Sequence, residues 1–176
     1  MQSLQYKLRN LTLELTNQCN LRCKMCGIWA EPHKDNLSIS DIKKILNLPL
    51  FEFPIGSVSL TGGECFMHPD FDVIFKLLSV MHIKHKISNI HIVTNGYLTE
   101  DILHFLSKNK RYISGLEMTF SIDGLEKNHT FQRGVNDAFT RTISTILKIR
   151  EEFPEVRVGV KFTINKLNYP DILPIY

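Results

Sequence analysis

Residues 11–26 read Leu11-Thr-Leu-Glu-Leu-Thr16-Asn-Gln-Cys19-Asn-Leu-Arg-Cys23-Lys-Met-Cys26. The first half alternates, with Leu11, Leu13 and Leu15 against Thr12, Glu14 and Thr16, which is the period of a β-strand with one apolar face. The second half gathers three of the chain's four cysteines into eight residues. A strand over Leu11–Thr16 therefore runs directly into a C-x3-C-x2-C loop.

A like alternation recurs in four further segments, Ser57–Thr61, Ile90–Asn95, Leu116–Asp123 and Val156–Ile164, and is weaker in Ile90–Asn95, where Ile90 and Ile92 oppose His91, Val93 and Asn95. Between them lie helical patterns. Ser40 stands as an N-cap before Ile42, Ile45 and Leu46, and Pro69-Asp70 opens a run with Phe71, Ile74, Phe75, Leu78 and Met81 near i, i+3, i+4, i+7 spacing. Thr99 is the expected cap of a helix with Ile102, Leu103 and Leu106. Asn136 is the expected start of another with Phe139, Ile143, Ile146 and Phe153 on one face, stopped by Pro154. Strand and helix in alternation predict an α/β fold with a parallel sheet and right-handed crossovers.

A parallel sheet covered on both faces has strands that are apolar throughout. Strands with one apolar and one polar face predict helices on the outside only and a wet interior: an open partial (β/α) barrel of about five β/α units. Glu14, Glu117 and Lys161 then face that interior, paired or wet. The alternative is a sheet with one face open to solvent.

Composition sets the bounds. The 176 residues carry a net charge of +3, with 43% hydrophobic and 22% charged. That supports one domain over 1–176 with a real core. The small, dispersed charge excess argues against a nucleic-acid or membrane partner. MQSLQYKLRN has no apolar leader region, which predicts a cytoplasmic protein. A cysteine cluster in such a chain points to a metal or redox site rather than a disulfide framework.

Three further motifs end the later strands: Thr61-Gly62-Gly63-Glu64, Thr94-Asn95-Gly96 and Ser121-Ile-Asp123-Gly124. Paired glycines let a backbone approach a ligand closely. Hydroxyl, amide and carboxylate groups suit the polar groups of a sugar or an amino-acid head. Each alone is a common turn; together with the cysteine loop they occupy the C-terminal edge of successive parallel strands, where β/α folds build their sites.

Cys19-x3-Cys23-x2-Cys26, then Gly62-Gly63-Glu64, then Ser121 and Asp123, resemble the radical S-adenosylmethionine (radical SAM) superfamily, as do the flanking Cys-Gly-Ile-Trp and Phe-Met-His-Pro-Asp. The resemblance covers nearly the whole chain. It implies an iron-sulfur enzyme with a 4Fe-4S cluster on Cys19, Cys23 and Cys26, and S-adenosylmethionine on the iron that lacks a protein ligand. It implies reductive cleavage to a 5′-deoxyadenosyl radical, which takes a hydrogen atom from a substrate. Gly62, Gly63 and Glu64 are implied to meet the cofactor's amine. Ser121 and Asp123 lie near its ribose or carboxylate with Asn95 beside them, and Met25 flanks the adenine, where the family usually has an aromatic residue. A reductant such as flavodoxin or ferredoxin is the implied electron partner. The family core has six β/α units against five here, so the chain is expected to be C-terminally incomplete. The last strand is then an edge, with Val156, Val158, Val160, Phe162 and Ile164 as its apolar outer face.

Three thiolates leave the nature of the centre open: a non-catalytic iron-sulfur or zinc module is the rival reading, with Cys65, His33 or His68 as a fourth zinc ligand. Cys65, where the family often has proline, reads as a small buried residue. Arg133 is either a partner for the cofactor's carboxylate or a solvated loop arginine. Trp29 reads as packing at the rim. His82, His85 and His91, with Lys84 and Lys86, read as a basic helix end rather than a ligand cluster.

Overall fold

A computed structural model of the protein describes residues 9–49 and 54–175. The stretch Met1–Leu8, part of the segment read for a leader, and Tyr176 lie outside the described residues.

Five strands form one sheet: β1 (Asn10–Glu14), β2 (Ile55–Thr61), β3 (Ile87–Thr94), β4 (Glu117–Ser121) and β5 (Arg157–Lys161). Their spatial order is their chain order, and all neighbours are parallel. Six helices accompany them among the described residues: α1 (Ile39–Leu46), α2 (Phe71–Ile83), α3 (Thr99–Lys108), α4 (Glu126–Arg133), α5 (Ala138–Glu152) and α6 (Ile172–Ile175). Crossovers of one hand between sequential strands bring the helices to the same side of the sheet. None of the described helices is long and apolar enough to cross a membrane.

The alternation read from the sequence is realised. Leu13, Val58, Leu60, Ile90, Ile92, Met118 and Phe120 are buried in one core with Ile74, Phe75, Leu78, Ile102, Leu106 and Ile149 of the helices. Phe66, Phe71, Phe75 and Phe105 meet there with ring centroids 4.6–5.4 Å apart. The opposite face is polar and cross-linked. His91 bridges Ser59 Oγ (3.1 Å) and Thr119 Oγ1 (2.8 Å), and Asn89 Nδ2 donates to Glu117 Oε2 at 3.1 Å. Glu117 also pairs with Arg157 at 3.7 Å, while Glu14 and Lys161 are exposed. These charges are paired or wet, as a polar interior requires.

The helix starts differ from their expected caps. Ser38, not Ser40, caps α1: its Oγ accepts from the Asp41 N–H at 3.2 Å and donates to the Asp41 carboxylate at 2.6 Å. Thr99 is the first residue of α3, and its hydroxyl pairs with Thr145 of α5 at 2.8 Å rather than capping. Helix α5 begins at Ala138, and its fully buried stripe is Ala138, Thr142, Thr145 and Ile149. Phe139, Ile143 and Ile146 are only half-buried. The threonines win the inner face because the exit of β3 needs donors: Thr142 Oγ1 bonds the Asn95 carbonyl and Thr145 Oγ1 the Gly96 carbonyl, both at 2.8 Å. Helix α4 has no counterpart among the helical patterns of the sequence. Its sequence, Glu126-Lys-Asn-His-Thr-Phe-Gln-Arg133, lacks apolar periodicity; the one available signal was Gly134, which ends it in the left-handed conformation at φ +69°.

Strand β5 is the sheet's edge among the described residues, and its outer face is only part covered. Val156 is buried, whereas Val160 and Ile164 are 51% and 63% exposed. A groove runs between Ile146 and Arg150 of α5 and Val156, Val158 and Val160. An apolar edge strand templates association. Val160→Lys is therefore expected to lower self-association of this chain, measured by sedimentation velocity, without lowering its unfolding midpoint; undiminished association would place the sticky surface elsewhere.

Candidate functional site

The C-terminal ends of the strands surround a cavity of about 220 Å³. Cys19, Cys23 and Cys26 stand on its wall with Met25. The same cavity is lined by Gly62 and Gly63 after β2, Asn95 after β3, and Ser121 and Asp123 at the end of β4. Arg133, Lys161, Thr163 and Trp29 line it as well. Every sequence-assigned site residue except Glu64 is thus brought to one cavity.

The cysteine loop is held from three sides. From below, the glycines press against it. Gly63 N–H donates to the Thr16 carbonyl at 2.7 Å and Glu64 N–H to that of Gln18 at 2.8 Å. A Cβ on Gly63 would stand 2.2 Å from the Gln18 oxygen, and one on Gly62, at φ +146°, 2.3 Å from the Thr16 oxygen. The glycine pair is therefore required by the approach of the loop itself, whatever ligand it also meets. From the side, Asn95 Nδ2 donates to Asn20 Oδ1 at 2.8 Å. From above, the carbonyls at the end of α4 act as acceptors: Arg22 N–H bonds the Arg133 oxygen at 3.0 Å and Lys24 N–H the Gln132 oxygen at 2.8 Å. Trp29 holds the rim, its Nε1 donating to the Cys23 carbonyl at 3.1 Å.

Glu64 differs from its expected place. Its carboxylate is 1% exposed and lies under the loop, not on the cavity wall. Thr94 Oγ1 and Phe66 N–H donate to Oε1 at 2.8 and 3.3 Å, and Asn95 N–H donates to Oε2 at 2.8 Å. Burial raises its pKa, and these bonds oppose the rise. Its observed work is to fasten the exit of β2 to that of β3.

Asp123 is fully buried and is the hub of the β4 exit. Its Oδ1 accepts from Thr163 N–H at 2.9 Å, and Oδ2 pairs with Arg133 Nη2 at 2.6 Å. Its carbonyl accepts from Gln132 Nε2 and Asn168 Nδ2. Its N–H donates to His129 Nδ1 at 3.1 Å. Arg133 is therefore not a solvated loop residue; it is 9% exposed at the end of α4. His129, Gln132, Asn165 and Asn168, none of them singled out from sequence, build this knot.

His129 gives the site an acid sensitivity. Burial, with the Arg133 charge adding to it, lowers its pKa from 6.5 to about 4. The unfolded chain thus binds a proton that the folded chain refuses. Stability is full above pH 6.5 and declines as the pH falls toward 4, by about 3 kcal/mol in all. Urea unfolding of the metal-free protein at pH 6.5 and pH 5 is expected to register this loss, and His129→Gln to flatten it in that window. An unchanged pH slope in the variant would remove His129 as the cause.

The thiols are all free. Burial raises the pKa of Cys19 and Cys23, with Arg133 working in the opposite direction at Cys23. Metal binding must then displace these protons. Among the described residues no three His, Cys, Asp or Glu side chains converge closely enough for a single metal ion. The fourth ligands considered for zinc are engaged elsewhere or distant from the wall. Cys65 is fully buried with Sγ directed at the Val93 carbonyl, and both nitrogens of His68 are bonded, to Leu37 O and Asp70 N–H. His33 does not line the cavity. His82 Nδ1 donates to the Ile87 carbonyl and His91 belongs to the polar sheet face, so neither joins a ligand cluster. Three thiols that line one cavity without converging on a single ion fit a multi-iron group that keeps one position for a ligand.

A family model for the radical SAM superfamily matches residues 13–172. The sporulation killing factor maturation protein SkfB of Bacillus subtilis (strain 168) is 28% identical over 163 residues, covering 92% of this chain and 37% of that protein. A probable GTP 3′,8-cyclase of Saccharolobus solfataricus is 32% identical over 166 residues, covering 92% of this chain and 49% of that one. The crystal structure of Streptococcus suis SuiB bound to S-adenosylmethionine superposes with a TM-score of 0.73 at 20% identity, over 96% of this chain and 37% of its own. The chain thus spans from about a third to half of the length of these relatives.

Proposed function

The chain belongs to the radical SAM superfamily, and from that premise we propose that it holds a 4Fe-4S cluster on Cys19, Cys23 and Cys26 and cleaves S-adenosylmethionine reductively to abstract a hydrogen atom from a substrate. The observation that carries this reading is the meeting of three free thiols with the strand-end motifs on one cavity, while Cys65 and His68 are committed elsewhere. When bound, the two groups supply a one-electron cleavage of the sulfonium that yields a 5′-deoxyadenosyl radical.

The chain's own residues do the rest. The backbone of Gly62 and Gly63 meets the cofactor's amino-acid end. Asn95 and Ser121 offer hydrogen bonds to its polar groups, and Asp123 acts through Arg133. Met25, 41% exposed on the cavity wall, offers an apolar, polarisable surface for the adenine. Lys161 and Thr163 face the same cavity from the β5 side. The polar face of the sheet, with Ser59, His91 and Thr119, borders the space for a substrate. A small one-electron carrier such as flavodoxin or ferredoxin is the proposed reductant, and the cytoplasm, where thiols stay reduced, the proposed compartment.

Anaerobic reconstitution with iron and sulfide tests the reading. The expected result is a brown protein that forms 5′-deoxyadenosine from S-adenosylmethionine under dithionite. A brown but inert protein supports a binding module instead, and a protein that holds only zinc removes the cluster.

A further inference from the structure

Arg133 lines the cofactor cavity and also touches one of the three loop thiols. Its Nη1 lies 3.7 Å from Cys23 Sγ, within hydrogen-bonding reach of sulfur, and its Nη2 is locked on Asp123 at 2.6 Å. Both charged side chains are nearly out of solvent, at 11% and 1% exposure. Cys23 is itself 7% exposed, so little water screens the guanidinium from the sulfur. The arrangement is fixed at both ends: the Arg133 carbonyl accepts from Arg22 N–H in the cysteine loop, and Asp123 is held by Thr163 N–H. Gly134 allows the close approach, since a Cβ there would stand 2.5 Å from the Arg22 oxygen.

Reduction adds one negative charge to a thiolate-ligated iron-sulfur group, and hydrogen bonds to the sulfurs and local charge are among the protein's main means of setting its potential. A buried cation donating to one of three thiolates stabilises the reduced form over the oxidised one. We propose that Arg133, held by Asp123, is a positioning residue that raises the reduction potential of the centre on Cys19, Cys23 and Cys26 through its contact with Cys23 Sγ. This rests on the cluster reading above. The effect exists before any cofactor or substrate binds.

The test measures the midpoint potential of the reconstituted protein by an electron-paramagnetic-resonance titration without S-adenosylmethionine. Arg133→Gln is expected to shift the midpoint negative, on the order of tenfold in the reduction equilibrium, or about 59 mV for one electron. Arg133→Lys, which keeps the charge, is expected to recover part of that shift. Arg133→Gln leaves Asp123 buried without its partner, so the double variant Arg133→Gln with Asp123→Asn is measured as well; it keeps the site neutral and is expected to shift in the same direction. An unchanged midpoint in either folded variant overturns the proposal. So does a folded variant that takes up no iron, because Arg133 then serves assembly rather than potential. A wild-type protein that takes up no cluster overturns the cluster reading itself.

Discussion

Alanine at Cys19, Cys23 or Cys26 is expected to abolish the iron-sulfur absorbance of the reconstituted protein, while Cys65→Ala keeps it. The three loop thiols share one cavity wall, and Cys65 does not reach it. Cys65 Sγ is buried against the Val93 carbonyl and the Glu64 carboxylate, with burial, the largest cause, pushing its pKa well above that of an ordinary thiol. With three anchors, loss of any one leaves two iron corners or more without protein, so iron content is expected to fall to near background in each loop variant. The measurement is iron and sulfide content alongside the visible spectrum. Loss of the chromophore in Cys65→Ala, with the loop variants still coloured, would reassign the ligands.

The loop and its sheet were legible in sequence because their signals are local. Cysteine spacing and strand alternation each fit within a few residues, and the polar face of the sheet follows from Ser59, His91 and Glu117 lying in register on β2, β3 and β4, with Thr119 two residues along on the same face. What escaped was whatever depends on long-range partners. Helix α4 shows no apolar stripe because it buries His129, Gln132 and Arg133 rather than hydrocarbon. Those residues are tolerated inside only because Asp123, Asn165 and Cys23 meet them. Thr142 and Thr145 displaced the expected isoleucine face of α5 for the same reason: two carbonyls at the β3 exit required donors. No periodicity in a sequence reports such a requirement.

Glu64 is where the two levels of reading make opposite predictions. The family resemblance assigns its carboxylate to the cofactor's amine. On that assignment Glu64→Ala weakens S-adenosylmethionine binding about tenfold, the value of one charge-assisted hydrogen bond, and leaves the metal-free fold untouched. The observed geometry gives the carboxylate other work. Thr94 Oγ1, Asn95 N–H and Phe66 N–H all end on it, the first two fully buried and the third part-buried. Alanine leaves two buried donors and one part-buried donor without this acceptor, at about 1–3 kcal/mol each. The expected loss is then on the order of 3–9 kcal/mol, a large share of the 5–15 kcal/mol that holds a typical domain together. Glu64→Gln keeps the shape but turns an NH2 toward at least one of those donors, so a smaller loss of about 2 kcal/mol is expected. Urea unfolding of the metal-free variants reads this directly. Because β2 and β3 carry Gly63 and Asn95, which hold the cysteine loop, the loosened exit also lowers cluster uptake, the opposite of what an amine ligand alone would do. An unfolding midpoint unchanged in Glu64→Ala, with full iron content and weakened cofactor binding by calorimetry, would return the carboxylate to the amine.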